Sequence, residues 1–489
     1  MSMESRGVTR PMAEMEGEDD SHEMTHQDRL EMLHSHHKQT LWIYWCVVIL
    51  GFWVMASPWT FGYGNSTVDP SGGRDLWLTL SQRIDCMIWS DLLAGAGLVF
   101  FGWRSLTPNR PISLWICCFI GVWLTAAPIL FWAPTAAAYL NATVVGALVM
   151  ALTVLIPGMP NMIMYMKMGP PTPPGWSYNP SSWPQRWILI VLGFAGWMVS
   201  RYLGAFQLGY IDTLWEPFFG SGSRQVLNST MSHSLPISDG SLGSFAYTFE
   251  FLMGFMGSPS RWRTMPWMVT LFGILVIPLG LVHILLVISQ PLVVGEWCTL
   301  CLVAALLMLP MLPLEGDEVI AMGQHLWQRT KAGEPFWRVF WKGGEADGCT
   351  PDERSPELID LPQKPGKILK SSCWGFSSPL NLTLSVLVGI LIVTMPGLLG
   401  IEKPASDIYH LGGSLIVVCA TVAMGEVFRT VRYLNIPLGV LVAFGPPLVG
   451  SPGQVSLIAG AVLGLAAAAL AWRLGPITEN YGSWDRFVK

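Results

Sequence analysis

The chain is 489 residues long, 51% hydrophobic and 12% charged, with a mean hydropathy of +0.44. A soluble domain carries about 25% charged residues, so this composition excludes a protein that covers its whole surface in water. The net charge of −5 and pI near 6.0 exclude the electrostatic footprint of a nucleic-acid binder.

Residues 1–40 are polar, acidic and rich in His and Met, without the n-region or h-region of a signal peptide. They are expected to form a disordered cytoplasmic tail. Apolar windows follow at 41–61, 86–103, 112–132, 137–157, 187–206, 244–257, 266–289, 297–313, 379–399, 408–428, 436–450 and 455–472. A span needs roughly 20 residues, so the expected fold is all-α, a polytopic membrane protein of about 12 transmembrane helices. The window at 244–257 is short and contains Glu250, so it is tilted, re-entrant or begins upstream. A cytoplasmic loop is expected at 314–378 and a cytoplasmic tail at 474–489. The 24 Trp suit aromatic belts at the two membrane interfaces.

With the N-terminus inside and every window crossing, 23 of the 28 Lys and Arg fall on the cytoplasmic side. Only Arg74, Arg83, Arg224 and Lys403 lie in outer loops, with Arg201 at a helix end. A bias of this size sets orientation and predicts that both termini are cytoplasmic.

The chain also repeats. Gly51 and Pro58, Gly121 and Pro128, Gly389 and Pro396, and Gly439 and Pro446 stand seven residues apart near the outer ends of four windows. Each is followed by a second helix rich in small residues, which let neighbouring backbones approach. Ser57-Pro58-Trp59 after Gly51-Phe52-Trp53 resembles the SPW repeat family of bacterial membrane proteins, with AAP and TMP variants in later copies. The resemblance covers 41–158 and 379–473, implies two four-helix units in a bacterial inner membrane, and supplies no catalytic constellation.

Between these units, Glu296-Trp297-Cys298-Thr299-Leu300-Cys301 places two cysteines at i and i+3 on one helix face, at the outer start of a helix that runs inward to Pro310. A lone CxxC also serves zinc ribbons and soluble redox folds. Zinc needs four ligands, and no second CxxC or His pair lies on the outer side. Backbone N–H groups at a helix N-terminus favour a thiolate, so a redox pair is the leading expectation, ahead of structural thiols and a metal.

Residues 186–313 resemble the vitamin K epoxide reductase family, in which a four-helix bundle encloses a quinone beside a CxxC. The resemblance extends to an outer-loop serine, Ser229, and to Asp239 followed by Leu242-Gly243-Ser-Phe-Ala-Tyr247. It implies that Cys298 exchanges with an incoming disulfide or dithiol and that Cys301 passes electrons to the quinone, ubiquinone or menaquinone. Ser229, Asp239 and Tyr247 would border the quinone pocket, with Asp239 where the family has an Asn; Asp239 reads equally as a helix cap. The chain departs from the family in its outer loop, where the stretch Trp215–Asn228 lacks the two relay cysteines, and at Ala305, where a pocket Tyr is sometimes found. Either a separate periplasmic thioredoxin-fold partner then reaches Cys298 directly, or the site has left the family's usual reaction.

Cys86, at the start of the second helix, reads as a plain helix-end cysteine, with an outward-facing partner for Cys298 as the lesser alternative. Cys46, Cys117, Cys118 and Cys419 read as packing residues, and Cys349 and Cys373 as cytoplasmic thiols. His22, His26, His34, His36 and His37 offer metal-binding side chains in what reads as a flexible tail, and His283 reads as a hydrogen-bonded core residue. Two other function classes stay open: a non-catalytic scaffold or sensor with a structural CxxC, and a small-molecule transporter.

Overall fold

The computed structural model describes residues 26–108, 110–155, 170–356 and 364–489. Most of the expected N-terminal tail, with His22 and the His26 side chain, therefore lies outside the described residues, as does Lys167. Eleven helices are long and apolar enough to cross a membrane, and among the described residues the extended backbone forms only isolated bridges.

The first four spans are α1 (His26–Thr60), α2 (Leu80–Ser105), α3 (Pro111–Leu130) and α4 (Ala136–Met150), the last extended by one π turn to Leu155. Helix α1 starts at His26, well inside the expected tail. Leu30, Glu31, Met32, Leu33, Lys38 and Gln39 are good helix formers, so the helix extends beyond the apolar window. The central helices are α5 (Trp183–Gln207), the short α6 (Gly222–Leu227), α7 (Asp239–Gly254), α8 (Pro266–Ser289) and α9 (Thr299–Lys331). Two short helices follow, α10 (Phe336–Lys342) and α11 (Pro365–Ser372), and then α12 (Leu380–Leu399), α13 (Ala405–Val422), α14 (Asn435–Phe444) and α15 (Gln454–Trp472).

The short sixth window at 244–257 does begin upstream, as α7 at Asp239, and its 16 residues, about 24 Å long, lead from the Pro236 end of the bundle to the Arg261 end. Being shorter than a full-length span, this helix is not among the eleven counted above. It packs along α5 inside the bundle. The stretch 314–378 is not simply a loop. Helix α9 continues through Pro310 and Pro313 to Lys331 and carries Glu315, Asp317 and Glu318 into the protein interior.

The two outer units share one packing order. In each, the first helix packs on the second, the second on the third, the third on the fourth, and the fourth closes on the first. Four glycine pairs account for the contacts of first with second helix and of third with fourth. A Cβ built on Gly51 would stand 2.8 Å from the Gly95 carbonyl oxygen, and one on Gly95 2.6 Å from that of Gly51. The same reciprocal contact joins Gly121 to Gly146 at 2.8 and 2.6 Å, Gly389 to Gly413 at 2.9 and 2.9 Å, and Gly439 to Gly464 at 2.3 and 2.4 Å. Backbones this close leave no room for a side chain.

The helix ends sort onto two faces. On the charge-rich face the C-terminal segment clasps the rest. Glu426 accepts hydrogen bonds from Thr478 N–H (2.9 Å), Glu479 N–H (3.1 Å) and the Tyr481 hydroxyl (2.9 Å), and Arg354 grips Glu479 with two nitrogens at 2.7 and 2.9 Å. Beneath it, the fully buried Arg261 guanidinium pairs with Glu318 through Nε at 2.6 Å and Nη2 at 2.5 Å. On the charge-poor face the loops of the first unit meet the central bundle. Trp132 donates to the Pro236 carbonyl (3.0 Å) and Tyr210 to the Ala133 carbonyl (2.7 Å).

Candidate functional site

The cysteine pair lies at the charge-poor end of the central bundle formed by α5, α7, α8 and α9. Helix α8 runs through a π turn at Gln290–Val294 and stops at Gly295, whose φ of +81° suits a residue without Cβ. Three residues later Cys298 caps α9, its sulfur accepting the Cys301 N–H at 3.2 Å. Cys298 and Cys301 form a disulfide with Cα atoms 5.2 Å apart. The Cys298 N–H is held by Gln290 Oε1 at 3.2 Å.

The pair is enclosed. Cys298 is 0% exposed and Cys301 8%. Around them pack Leu203 and Phe206 from α5, Val226 and Leu227 from α6, and Val287 from α8. Helix α6 presses so near that a Cβ on Gly222 would stand 2.3 Å from the Trp297 carbonyl oxygen.

A carboxylate fastens this cover to the cysteine helix. Glu216 Oε2 accepts the Thr299 N–H (3.1 Å), and Oε1 accepts the N–H groups of Phe218 (3.2 Å) and Phe219 (3.1 Å). The hydroxyls of Ser223 and Thr299 also donate to it. Burial alone would raise the Glu216 carboxyl, but the hydrogen bonds from Ser223, Thr299 and Phe219 outweigh it and hold the group down to about 2.

The other sequence-predicted residues fall beside the pair rather than around one space. Asp239 opens α7, but the N-cap is Ser238, whose hydroxyl accepts the Ser241 N–H at 3.1 Å. Asp239 Oδ1 accepts from Gln207, from Ser232 (3.2 Å) and from the Gly240 N–H (2.9 Å). Tyr247 is buried, donates to the Ala304 carbonyl at 3.4 Å, and sits against His283 with ring centroids 6.3 Å apart. Tyr247 thus meets α9 one turn below Cys301. The Ser229 hydroxyl donates to the Val226 carbonyl at 2.7 Å and accepts the Ser232 N–H at 3.3 Å, a bond within its own turn. His283 is part-buried, and Cys86 is a free, part-buried thiol.

Two residues outside the central bundle also reach the site. Arg74, in the loop between α1 and α2, donates to the carbonyls of Ser232 (3.5 Å), Leu235 and Ile237 (3.3 Å) and lies over the Trp132 ring. Burial lowers the Arg74 pKa, and the Asp239 carboxylate opposes that shift. From the second unit, His410 meets the Trp297 ring at 5.9 Å. Sequence reasoning missed Glu216, Gln207, Arg74 and His410, since each is a single polar residue without a motif.

Two cavities, of about 410 Å³ beside Arg74 and His233 and about 390 Å³ beside Trp176 and Arg354, lie away from the disulfide. Among the described residues no group of three or more His, Cys, Asp or Glu is arranged to hold a metal ion.

Fold and site together define an all-helical polytopic membrane protein with a buried CxxC disulfide at the mouth of a central bundle. The sequence model described as the vitamin K epoxide reductase family matches residues 187–315, which places a domain of that family there. No curated protein and no solved structure matches the chain.

Proposed function

We propose that the chain is a membrane thiol oxidoreductase whose Cys298–Cys301 pair exchanges with a protein dithiol and passes two electrons to a quinone. The observation that carries this reading is the disulfide at the N-terminus of α9, set at the mouth of a four-helix bundle that matches the vitamin K epoxide reductase family. In the exchange half-reaction a thiolate of the partner attacks Cys298, Cys301 leaves, and the partner's second thiol resolves the mixed disulfide. The partner becomes a disulfide and the pair becomes a dithiol. In the second half-reaction the dithiol closes again while its two electrons and two protons convert a quinone to a quinol.

The residues present suit such a ring in chemistry. The walls beside the pair are apolar, and Asp239 and Tyr247 stand on one helix that packs along them. Because the pair is enclosed, the ring would enter by displacing side chains. A bound quinone, ubiquinone or menaquinone, supplies the two-electron acceptor; this chain's residues orient it and exclude water. The lack of relay cysteines in Trp215–Asn228 supports direct exchange with a thioredoxin-fold partner.

The charge-rich face is assigned to the cytoplasm, with both termini there and the cysteines on the outer side of a bacterial inner membrane; the placement of 23 of the 28 Lys and Arg supports it. The flanking units 41–158 and 379–473 are assigned as SPW repeats, supported by their four equivalent glycine pairs. The full burial of Cys298 favours a second reading, a structural or sensory disulfide. Cys301→Ser separates the two: in purified membranes it should abolish dithiol-dependent quinone reduction, and an unchanged rate would overturn the oxidoreductase reading.

A further inference from the structure

The loop 208–238 lacks relay cysteines, yet it is tied to the cysteine helix at one carboxylate. Glu216 joins the Phe218 and Phe219 N–H groups and the Ser223 hydroxyl, all on the cover, to the Thr299 N–H and hydroxyl on the first turn of α9. At the same helix end the Cys298 sulfur accepts the Cys301 N–H. Two acceptors therefore share the unpaired N–H groups of one N-terminus. One of them, Glu216, is a fixed negative charge. A helix N-terminus normally favours a thiolate, and a carboxylate already seated there opposes a second anion.

We propose that Glu216 is a positioning residue for the cysteine pair, closing residues 216–223 of the 208–238 loop over Cys298 and restraining ionisation of its thiol until a partner displaces that segment. The proposal rests on the thiol-exchange reading above. It makes the relay-free loop a latch, so that the disulfide meets a partner thiolate when a docking protein breaks the Glu216 bonds, and the Cys298 thiol left by the exchange is shielded from small oxidants once the segment closes again. Hydrogen bonds from four residues to one carboxylate make this the point of release for residues 216–223, while Ser71, Arg74 and Trp132 hold the rest of the loop. A unit charge within a helical turn of the thiolate, at a permittivity between protein and water, is worth about one pKa unit.

The test measures Cys298 alkylation by iodoacetamide, resolved by peptide mass, in the reduced full-length protein from pH 6 to 10. It uses no quinone, so its result is independent of the quinone half-reaction. In Glu216→Gln the pH of half-maximal rate should fall by about one unit. The rate at pH 7 should rise about three- to fourfold, because a more acidic thiol gives more thiolate of lower nucleophilicity. In Glu216→Ala the plateau rate should rise further, by about tenfold, as the cover opens. Ser223→Ala, which removes one bond and no charge, should raise the plateau and leave the pH profile in place, and it keeps the latch testable where Glu216→Ala does not fold. A plateau that rises with an unmoved profile in both Glu216 variants, or no change in either quantity, overturns the proposal.

Discussion

Replacing Gly464 by Ala tests the packing of the flanking units most directly. The added Cβ would stand 2.4 Å from the Gly439 carbonyl oxygen and 2.8 Å from the Ala443 nitrogen. Both are backbone atoms and neither can rotate away. A carbon–oxygen contact relaxes at about 3.3 Å, so α14 and α15 must separate by about 1 Å. A gap of that size forfeits up to half of the dispersion energy of each contact along the seam, and overpacking of this kind costs about 1–3 kcal/mol. A loss of about 2 kcal/mol, set against an unfolding entropy of about 1 kcal/mol/K for a chain of 489 residues, should lower the unfolding temperature in detergent by about 2 °C, read from intrinsic Trp fluorescence. Gly413→Ala, where the carbonyl contact is 2.9 Å, should cost less. Gly397→Ala on α12 meets nothing within 4 Å and should leave the temperature unchanged or slightly raised. Equal unfolding temperatures for the Gly464 and Gly397 variants would refute the reasoning.

Glu318→Gln leaves the Arg261 guanidinium buried without its carboxylate and should destabilise by about 3–5 kcal/mol. The double change with Arg261→Met should recover most of that loss, as read by thermal unfolding. The Glu216 carboxyl is held at about 2, below its ordinary value of 4.5, so its stabilisation is complete above pH 4.5 and fades as pH falls toward 2. The difference in unfolding temperature between wild type and Glu216→Gln should therefore be constant from pH 5 to 8 and shrink on acidification below it.

The number of spans and the position of Cys298 and Cys301 were legible because both are local. Apolar windows of about 20 residues announce themselves, and an i, i+3 pair at the start of one reads directly as a helix mouth. Where the sequence misled, tertiary context overrode a local rule. Pro310 and Pro313 look like a stop, yet α9 continues to Lys331 because the turns after them, from Met311 to Leu326, are buried against the clasp of the charge-rich face. Glu216 was invisible for a different reason. It meets Thr299 across 83 residues of chain, and a lone glutamate in a polar loop carries no spacing that could announce such a pairing.

The flanking units matter to the site because of which loops they hold. The loop 208–238, which covers Cys298, is gripped from the first unit by Arg74 on three carbonyls, by Ser71 on Asn228 at 2.9 Å and by Trp132 on the Pro236 carbonyl. The turn at 290–297, which delivers the cysteines, is gripped from the second unit by Lys403 on the Leu292 carbonyl at 2.5 Å and by His410 against Trp297. Loops are ordinarily the first parts of a fold to open, and here each of the two that converge on the disulfide is pinned by a body outside the family-matching segment. Much of the loop anchoring around the Cys298–Cys301 pair is thus supplied by residues that lie outside 187–315. A chemical site on two otherwise mobile connections keeps its geometry only if something rigid holds both, and the paired-glycine bundles on either side, with their backbones in contact, are the rigid bodies available.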